Sequence, residues 1–290
     1  MIYDEVSILF IVFHFQHSFL SQTLQGTISD SITGKSIPFA NITYLHSNNG
    51  AQSNNDGFYN IRISRNENKI LVSSLGYESK TILLQDYSLA LQPTLNISLN
   101  PKTEELLEVL IPSVTKNYKK RRTFSQNKGF TSQYSNQFGV QHATFIKNQE
   151  AKNGVLESVT FSFRKRKEFD YLASFNIKFY AVDKVTGKPS DELCSQNIVI
   201  TPENKTAKVT VDVKDFGVRF PKNGLFVVLE TVNVDDTIIP KTTGAYLAPY
   251  FNTVTSDKNP EIYSFLTYRG KPWGGRTLNI NLEVEVSGRF

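Results

Sequence analysis

GTISDSITGKSIPFANI, residues 26–42, holds two strand-like runs around one turn, and the reading of its middle decides the fold. A Walker-type phosphate loop needs a glycine five positions before its Gly-Lys-Ser, so that successive N–H groups curl around phosphate. That position is Ser29, and the nucleotide reading fails. DKVTGKP at 183–189 repeats the pattern between two further strand-like runs. In both copies the aspartate, Asp30 or Asp183, can accept hydrogen bonds from N–H groups further along the turn, while Gly34 or Gly187 supplies a positive φ. The stretch is therefore a hairpin-forming turn, and its flanks are strands.

Outward from this turn nearly everything has the period of two. Leu24, Gly26 and Ile28 alternate with polar residues; 39–45 follows Pro38; 58–63 follows the turn ending at Gly57; further runs lie at 69–74, 81–84 and 95–99. Short strands separated by Gly, Asn and Asp, without an amphipathic helix, predict an antiparallel β-sandwich over 22–101. A second β-rich region, 154–290, contains strand-like runs at 155–164, 175–183, 197–201, 207–213 and 225–232, with 277–286 as closing strand. Its expected core is Phe161, Phe163, Ile177, Phe179, Val209, Val211, Phe226, Val228, Ile280 and Leu282. Residues 102–153 read as a connecting strand and a basic polar linker, the linker itself over 115–136. The fold class is all-β, with two sandwich domains.

The combination of GTISDSITGKSIPFANI, NNDGFYNI at 54–61 and ILVSSLGYESKTILL at 70–84 resembles the carboxypeptidase regulatory-like domain. That resemblance implies a seven-stranded sandwich of transthyretin-like (prealbumin-like) topology, frequent in exported proteins of the Gram-negative envelope. It covers about a quarter of the chain. Within it, Gly57 permits the turn before the strand at Phe58, and Gly76 a close bend before Tyr77. The same module precedes the plug of TonB-dependent receptors, and LLEVLI at 106–111 is similar to the strand that follows it there. The chain lacks the residues of a barrel, so a transporter is not expected. More loosely, 174–193 and 208–230 resemble a β-sandwich of unknown function that accompanies this module.

Composition narrows the classes further. The net charge of +5 comes largely from the runs 119–122 and 164–167, which read as solvated, so no nucleic-acid partner is expected. Cys194 is the only cysteine, which excludes an internal disulfide. ILFIVFHF at 8–15 has signal-peptide length and is too short to span a bilayer, although Asp4 and Glu5 stand where a signal carries basic residues. A misplaced start codon accounts for both facts. Residues 1–21 are expected to be removed on export, leaving a mature chain with no integral membrane span, in the periplasm or at the outer-membrane surface.

No catalytic constellation emerges. None of His14, His17, His46 and His142 has Glu three positions later, as a metallocarboxypeptidase zinc site requires, and the regulatory-like module carries no peptidase activity of its own. His46 falls in a hairpin loop and His142 near the linker, neither braced to orient a nucleophile. Cys194 reads as a small semi-buried residue, and the adjacent Asp235 and Asp236 point apart on any strand or turn, which makes a poor calcium site. No metal, cofactor or catalytic residue is predicted. YSFLTYRGKPWGGR at 263–276 holds the only tryptophan. Either Trp273, Tyr268, Arg269 and Arg276 form a stacking platform for a sugar or an anchor for a partner, or Trp273 plugs the second sandwich while Gly274 and Gly275 turn the chain. The expected role is a non-catalytic interaction or scaffolding module whose partner is an envelope protein or glycan. A glycan-binding accessory protein of an uptake system and an unrecognised hydrolase are the alternatives.

Overall fold

The computed structural model describes residues 23–45, 50–63, 68–84, 93–102, 118, 120–125, 131–136, 140–164, 172–203, 208–232, 247–255, 262–266, 274–276 and 280–290; the side chains of 131–140, 247–255, 262–266, 274–276 and 280–281 lie outside that description. In the first unit the strands are β1 (Thr23–Asp30), β2 (Asn41–Tyr44), β3 (Gly50–Gln52), β4 (Phe58–Arg62), β5 (Lys69–Ser73), β6 (Lys80–Leu83) and β7 (Ile97–Leu99). They form a sheet in the order β4-β1-β7 and another in the order β3-β2-β5-β6. Leu24, Ile28, Tyr59, Ile61, Ile97 and Leu99 from the first meet Ile42, Tyr44, Ile70, Val72 and Ile82 from the second in one buried cluster, which makes the unit a sandwich. Each such side chain contributes about 1.5–3 kcal/mol on burial. The two tyrosines keep their hydroxyls satisfied inside it: Tyr59 donates to the Leu95 carbonyl at 2.7 Å and Tyr44 to that of Arg62 at 3.1 Å.

One pairing departs from the antiparallel expectation. β7 runs parallel to β1, with Ile28 opposite Ile97, because the chain leaves β6 and re-enters along the free side of β1 instead of folding back in a hairpin. β3 lies in GAQ, too short and too polar to carry an alternation.

The second unit contains β8 (Arg121–Ser125), β9 (Thr131–Asn136), β10 (Val140–Ile146), β11 (Gly154–Arg164), β12 (Ser174–Val182), β13 (Pro189–Glu192), β14 (Ile198–Ile200), β15 (Lys208–Asp212), β16 (Arg219–Phe220), β17 (Leu225–Val232), β18 (Leu247–Thr255), β19 (Ile262–Leu266), β20 (Gly274–Arg276), β21 (Ile280–Leu282) and β22 (Val284–Arg289). One sheet runs β13-β12-β17-β10-β19-β20 with β14 also on β12; the other runs β21-β18-β11-β22-β8, with β15 and β16 also on β11 and β9 on β18. Phe161, Phe163, Val284 and Val286 of the second sheet face Phe175, Ile177, Phe179, Val227 and Leu229 of the first across the main core.

Three expectations are corrected by this pairing. Residues 121–125, 131–136 and 140–146 are not linker: β8 pairs with β22, β9 with β18, and β10 lies between β17 and β19. β8 buries Phe124 alone, so its polar composition suits a one-sided strand, whereas β10 carries polar residues, Gln141, His142 and Thr144, into buried positions. Residues 277–286 do not form one strand, since β21 pairs with β18 and β22 with β11 and β8. Phe226 and Val228 are buried, but on the opposite face of their sheet, with Ala143 and Tyr180; Leu225, Val227 and Leu229 are the residues turned toward the main core.

Candidate functional site

The two D-x-x-T-G-K stretches fold alike. Asp30 Oδ1 accepts from the N–H groups of Ile32 and Thr33, each at 2.8 Å, and Asp183 Oδ1 from those of Val185 at 3.0 Å and Thr186 at 2.6 Å. Gly34 and Gly187 both have φ of 69° and donate to the carbonyl of their own aspartate at 2.9 Å. The backbone N–H of Thr33 and of Thr186, foremost among other donors, hold the two carboxyls below the usual range. Asp30 also accepts from the Tyr77 hydroxyl at 3.0 Å, tying this turn to the bend at Gly76, whose φ is 75°. Gly57, at φ of 76°, leaves no room for a β-carbon, which would lie 2.7 Å from the Ile28 carbonyl oxygen.

The densest titratable cluster is one that composition did not reveal. On the outer face of the seven-stranded sheet, Glu230 of β17 stands opposite Asn176 of β12 and Gln141 of β10, and Lys178 lies one pleat along. The Glu230 side chain has no solvent exposure. Its Oε1 accepts from Gln141 Nε2 at 3.0 Å and from Gln52 Nε2 at 3.3 Å, and its Oε2 lies 2.9 Å from Lys178 Nζ. That last contact is an ion pair outside hydrogen-bond alignment. Gln52 belongs to the first unit, held there by Asn41 Oδ1 at 3.2 Å, so a side chain of one sandwich satisfies a buried charge of the other.

Glu192, at the end of β13, completes the cluster. Its Oε1 accepts from the Tyr180 hydroxyl and lies 3.8 Å from Lys178 Nζ, while its Oε2 has no hydrogen-bond partner among the described residues. Burial raises the Glu192 carboxyl above its ordinary range, against the opposing pull of Lys178. Burial by itself would depress the Lys178 ammonium, yet the attraction of Glu230 and Glu192 leaves it raised. The two directions agree once distance is considered: Lys178 lies 2.9 Å from Glu230 but 3.8 Å from Glu192, so Glu192 gains less from the ammonium than its burial takes away. Burial, with Glu192 alongside, lifts Tyr180 well above the usual phenol range. Lysine, tyrosine and two carboxyls are a general acid–base inventory; here Lys178 stands between the two carboxyls, and Gln52 of the other unit lies over Glu230.

The remaining sequence candidates are dispersed. His142 is buried in β10, opposite Leu229, so it is braced by strands on both sides, contrary to the unbraced position near a linker expected from the sequence. Cys194 is buried against the main core, where desolvation raises its thiol. Gly274, Gly275 and Arg276 form β20 itself, the outermost strand of its sheet, and do not turn the chain into the closing strand. Trp273, Tyr268, Arg269, His14, His17, His46, Asp235, Asp236 and residues 1–21 lie outside the described residues. Among the described residues no three His, Cys, Asp or Glu side chains group as metal ligands, and no helix is long and apolar enough to cross a membrane.

Residues 24–111, 88 of the 290, match the family of the CarboxypepD_reg-like domain. No curated protein matches the chain. Among solved structures it is similar to a DUF3823 family protein from Bacteroides ovatus, at 9% identity over 91% of this chain and 97% of that one with a TM-score of 0.20. A DUF3823 family protein from Bacteroides uniformis follows at 14% identity over 79% and 96%, TM-score 0.18. The major pilin subunit BcpA of Bacillus cereus matches at 8% identity over 90% and 69%, TM-score 0.19. At such TM-scores these likenesses carry no argument.

Proposed function

We propose that the protein is a non-catalytic, exported cell-envelope protein whose two sandwiches act as an interaction or scaffolding module. The observation that supports this best is the use made of its richest chemistry. Glu230, Lys178, Glu192 and Tyr180 are buried in contact with one another, and Gln52 of the first unit donates to Glu230. A buried ion pair of this kind favours one docking arrangement over others more than it adds stability. The family match over 24–111 favours the envelope. Fractionation of native cells with an antibody to the chain, together with intact-mass measurement of the mature protein, tests location; cytosolic protein retaining Met1 overturns it. A broad hydrolase panel tests the absence of catalysis, and turnover abolished by Glu192→Gln or Cys194→Ala overturns that half.

Glycan binding by 263–276 is a second reading, favoured by one observation: β19 and β20, the strands at either end of this stretch, pair antiparallel as the last two of their sheet. Trp273→Ala in a glycan or envelope-protein pull-down tests it, and undiminished capture refutes it.

A further inference from the structure

The register of the eight-stranded sheet lines up three arginines. Arg121 of β8 pairs with Arg289 of β22, Arg289 with Val155 of β11, and Val155 with Arg219 of β16. Directly opposed residues project from the same face, so the row crosses four strands, roughly 15 Å at the usual strand spacing. Like charges directly opposite each other destabilise a sheet, and this pair is tolerated for a visible reason. An irregularity in β11 between Leu156 and Ser158 lifts Glu157 out of register. Its Oε1 lies 2.5 Å from Arg289 Nε and its Oε2 3.1 Å from Arg121 Nε. The Glu157 side chain is 7% exposed, whereas those of Arg121 and Arg289 remain 64% and 56% exposed. One covered carboxylate thus fixes two guanidinium groups side by side and leaves both open to solvent.

The base of the row is equally fixed. Arg219-Phe220 and Arg289-Phe290 send arginine outward and phenylalanine inward, and Phe220, Phe290 and Phe124 pack with ring centroids 5.2, 5.4 and 5.5 Å apart. Beside the arginines runs a second row, Thr123, Ser287 and Ser158, with Thr123 Oγ1 2.8 Å from Ser287 Oγ. The other charges on this part of the face are Asp212, opposite Ser158 and paired with Lys214 at 2.7 Å, and Glu285, two rows away. With Glu157 included, four cations, Arg121, Arg289, Arg219 and Lys214, face three carboxylates, Glu157, Asp212 and Glu285.

We propose that this strip, Arg121, Arg289 and Arg219 with the adjoining hydroxyl row, docks a polyanionic glycan. Preorganised guanidinium forks match carboxylate or phosphate groups bidentately, and the neighbouring hydroxyls match sugar hydroxyls. Nucleic acid fits less well, because the aromatic rings lie beneath the sheet and offer bases no stacking surface. The inference names a ligand class for the interaction role proposed above; it rests on strand register, and cell fractionation and glycan binding fail independently.

The test is affinity electrophoresis of the full chain at low salt in polygalacturonate, with neutral dextran and a single-stranded oligonucleotide in parallel. Retardation by polygalacturonate alone, lost at high salt, is expected. Arg219→Gln, which leaves Glu157 and its partners intact, weakens binding about fivefold, the effect of one exposed charge contact. The triple variant Arg121→Gln, Arg289→Gln, Glu157→Gln, which leaves no buried charge unpaired, abolishes it. Lys208→Gln, outside the strip, changes nothing. No retardation, binding indifferent to Arg219→Gln, or retardation by the oligonucleotide as strong as by polygalacturonate overturns the proposal.

Discussion

Lys178→Met is the perturbation that most directly probes the cluster between the sandwiches. The substitution keeps the length and apolar stem of the side chain and removes only the charge. It leaves Glu230, with no exposure of its own, supported by two neutral amides at 3.0 and 3.3 Å. Removing one partner of a buried pair costs about 3–5 kcal/mol, because the other charge stays desolvated. Urea denaturation at neutral pH should therefore show a stability loss in that range. Adding Glu230→Gln should recover most of it, since an amide needs no counter-charge, and the coupling in the double-mutant cycle should be well above about 1 kcal/mol. A loss below about 1 kcal/mol, or no rescue by Glu230→Gln, would show that Glu230 is solvated and that the two units do not seal it.

Four further outcomes follow from the same structure. Because Glu192 has a raised folded pKa, its contribution is complete below its ordinary value of 4.5 and fades as the pH rises through the shifted one; Glu192→Gln should flatten the stability profile above that point, read by thermal melts across pH. Asp30 and Asp183, with lowered pKa values, act in the opposite direction, and their contribution should be lost as the pH drops below about 3.8. Gly57→Ala should cost more than Gly34→Ala in urea melts: both glycines have positive φ, worth about 1–2 kcal/mol, but only at Gly57 does the new β-carbon meet backbone within 2.7 Å. Phe226→Ala should cost about 3–5 kcal/mol, as a buried aromatic does and a solvent-facing one does not.

Much of the fold was legible because alternation and turn chemistry agree. The strands β1, β4, β5 and β11 fall where alternating runs are bounded by turn residues, β12 and β17 where β-branched and aromatic runs end at Asp183 and Asn233, and the repeated D-x-x-T-G-K marks two turns of the same build. What alternation could not give is phase where both faces are apolar: in LFVVLETV every residue is buried, so nothing in the string says that Val227 and not Phe226 faces the main core. Nor could it reveal one-sided strands such as RRTFS, where Phe124 alone is buried. The clusters were hidden for a different reason. Gln52, Lys178, Glu192 and Glu230 are scattered over the sequence and meet only through register, and Glu157 acquires its two arginines through an irregularity no pattern encodes. The lone signal for the arginine strip was the pair of Arg-Phe dipeptides at 219–220 and 289–290, whose alternation states which side chain faces out.

The placement of β22 has a consequence for how the chain reaches this state. It is an interior strand, hydrogen-bonded to β11 on one side and β8 on the other, and its Ser287 meets Thr123 across 164 residues of sequence. During synthesis β8 and β11 emerge long before the strand that separates them, and each then presents an unpaired ladder edge to whatever is near. Loop-closure entropy of that length must be overcome before the contact gives anything back, so folding of this sandwich should be slow and should wait until β22 has been made. Until β22 has emerged this sheet cannot close, so the edges of β8 and β11 are where a nascent chain would pair wrongly with other strands, and where a holdase would act.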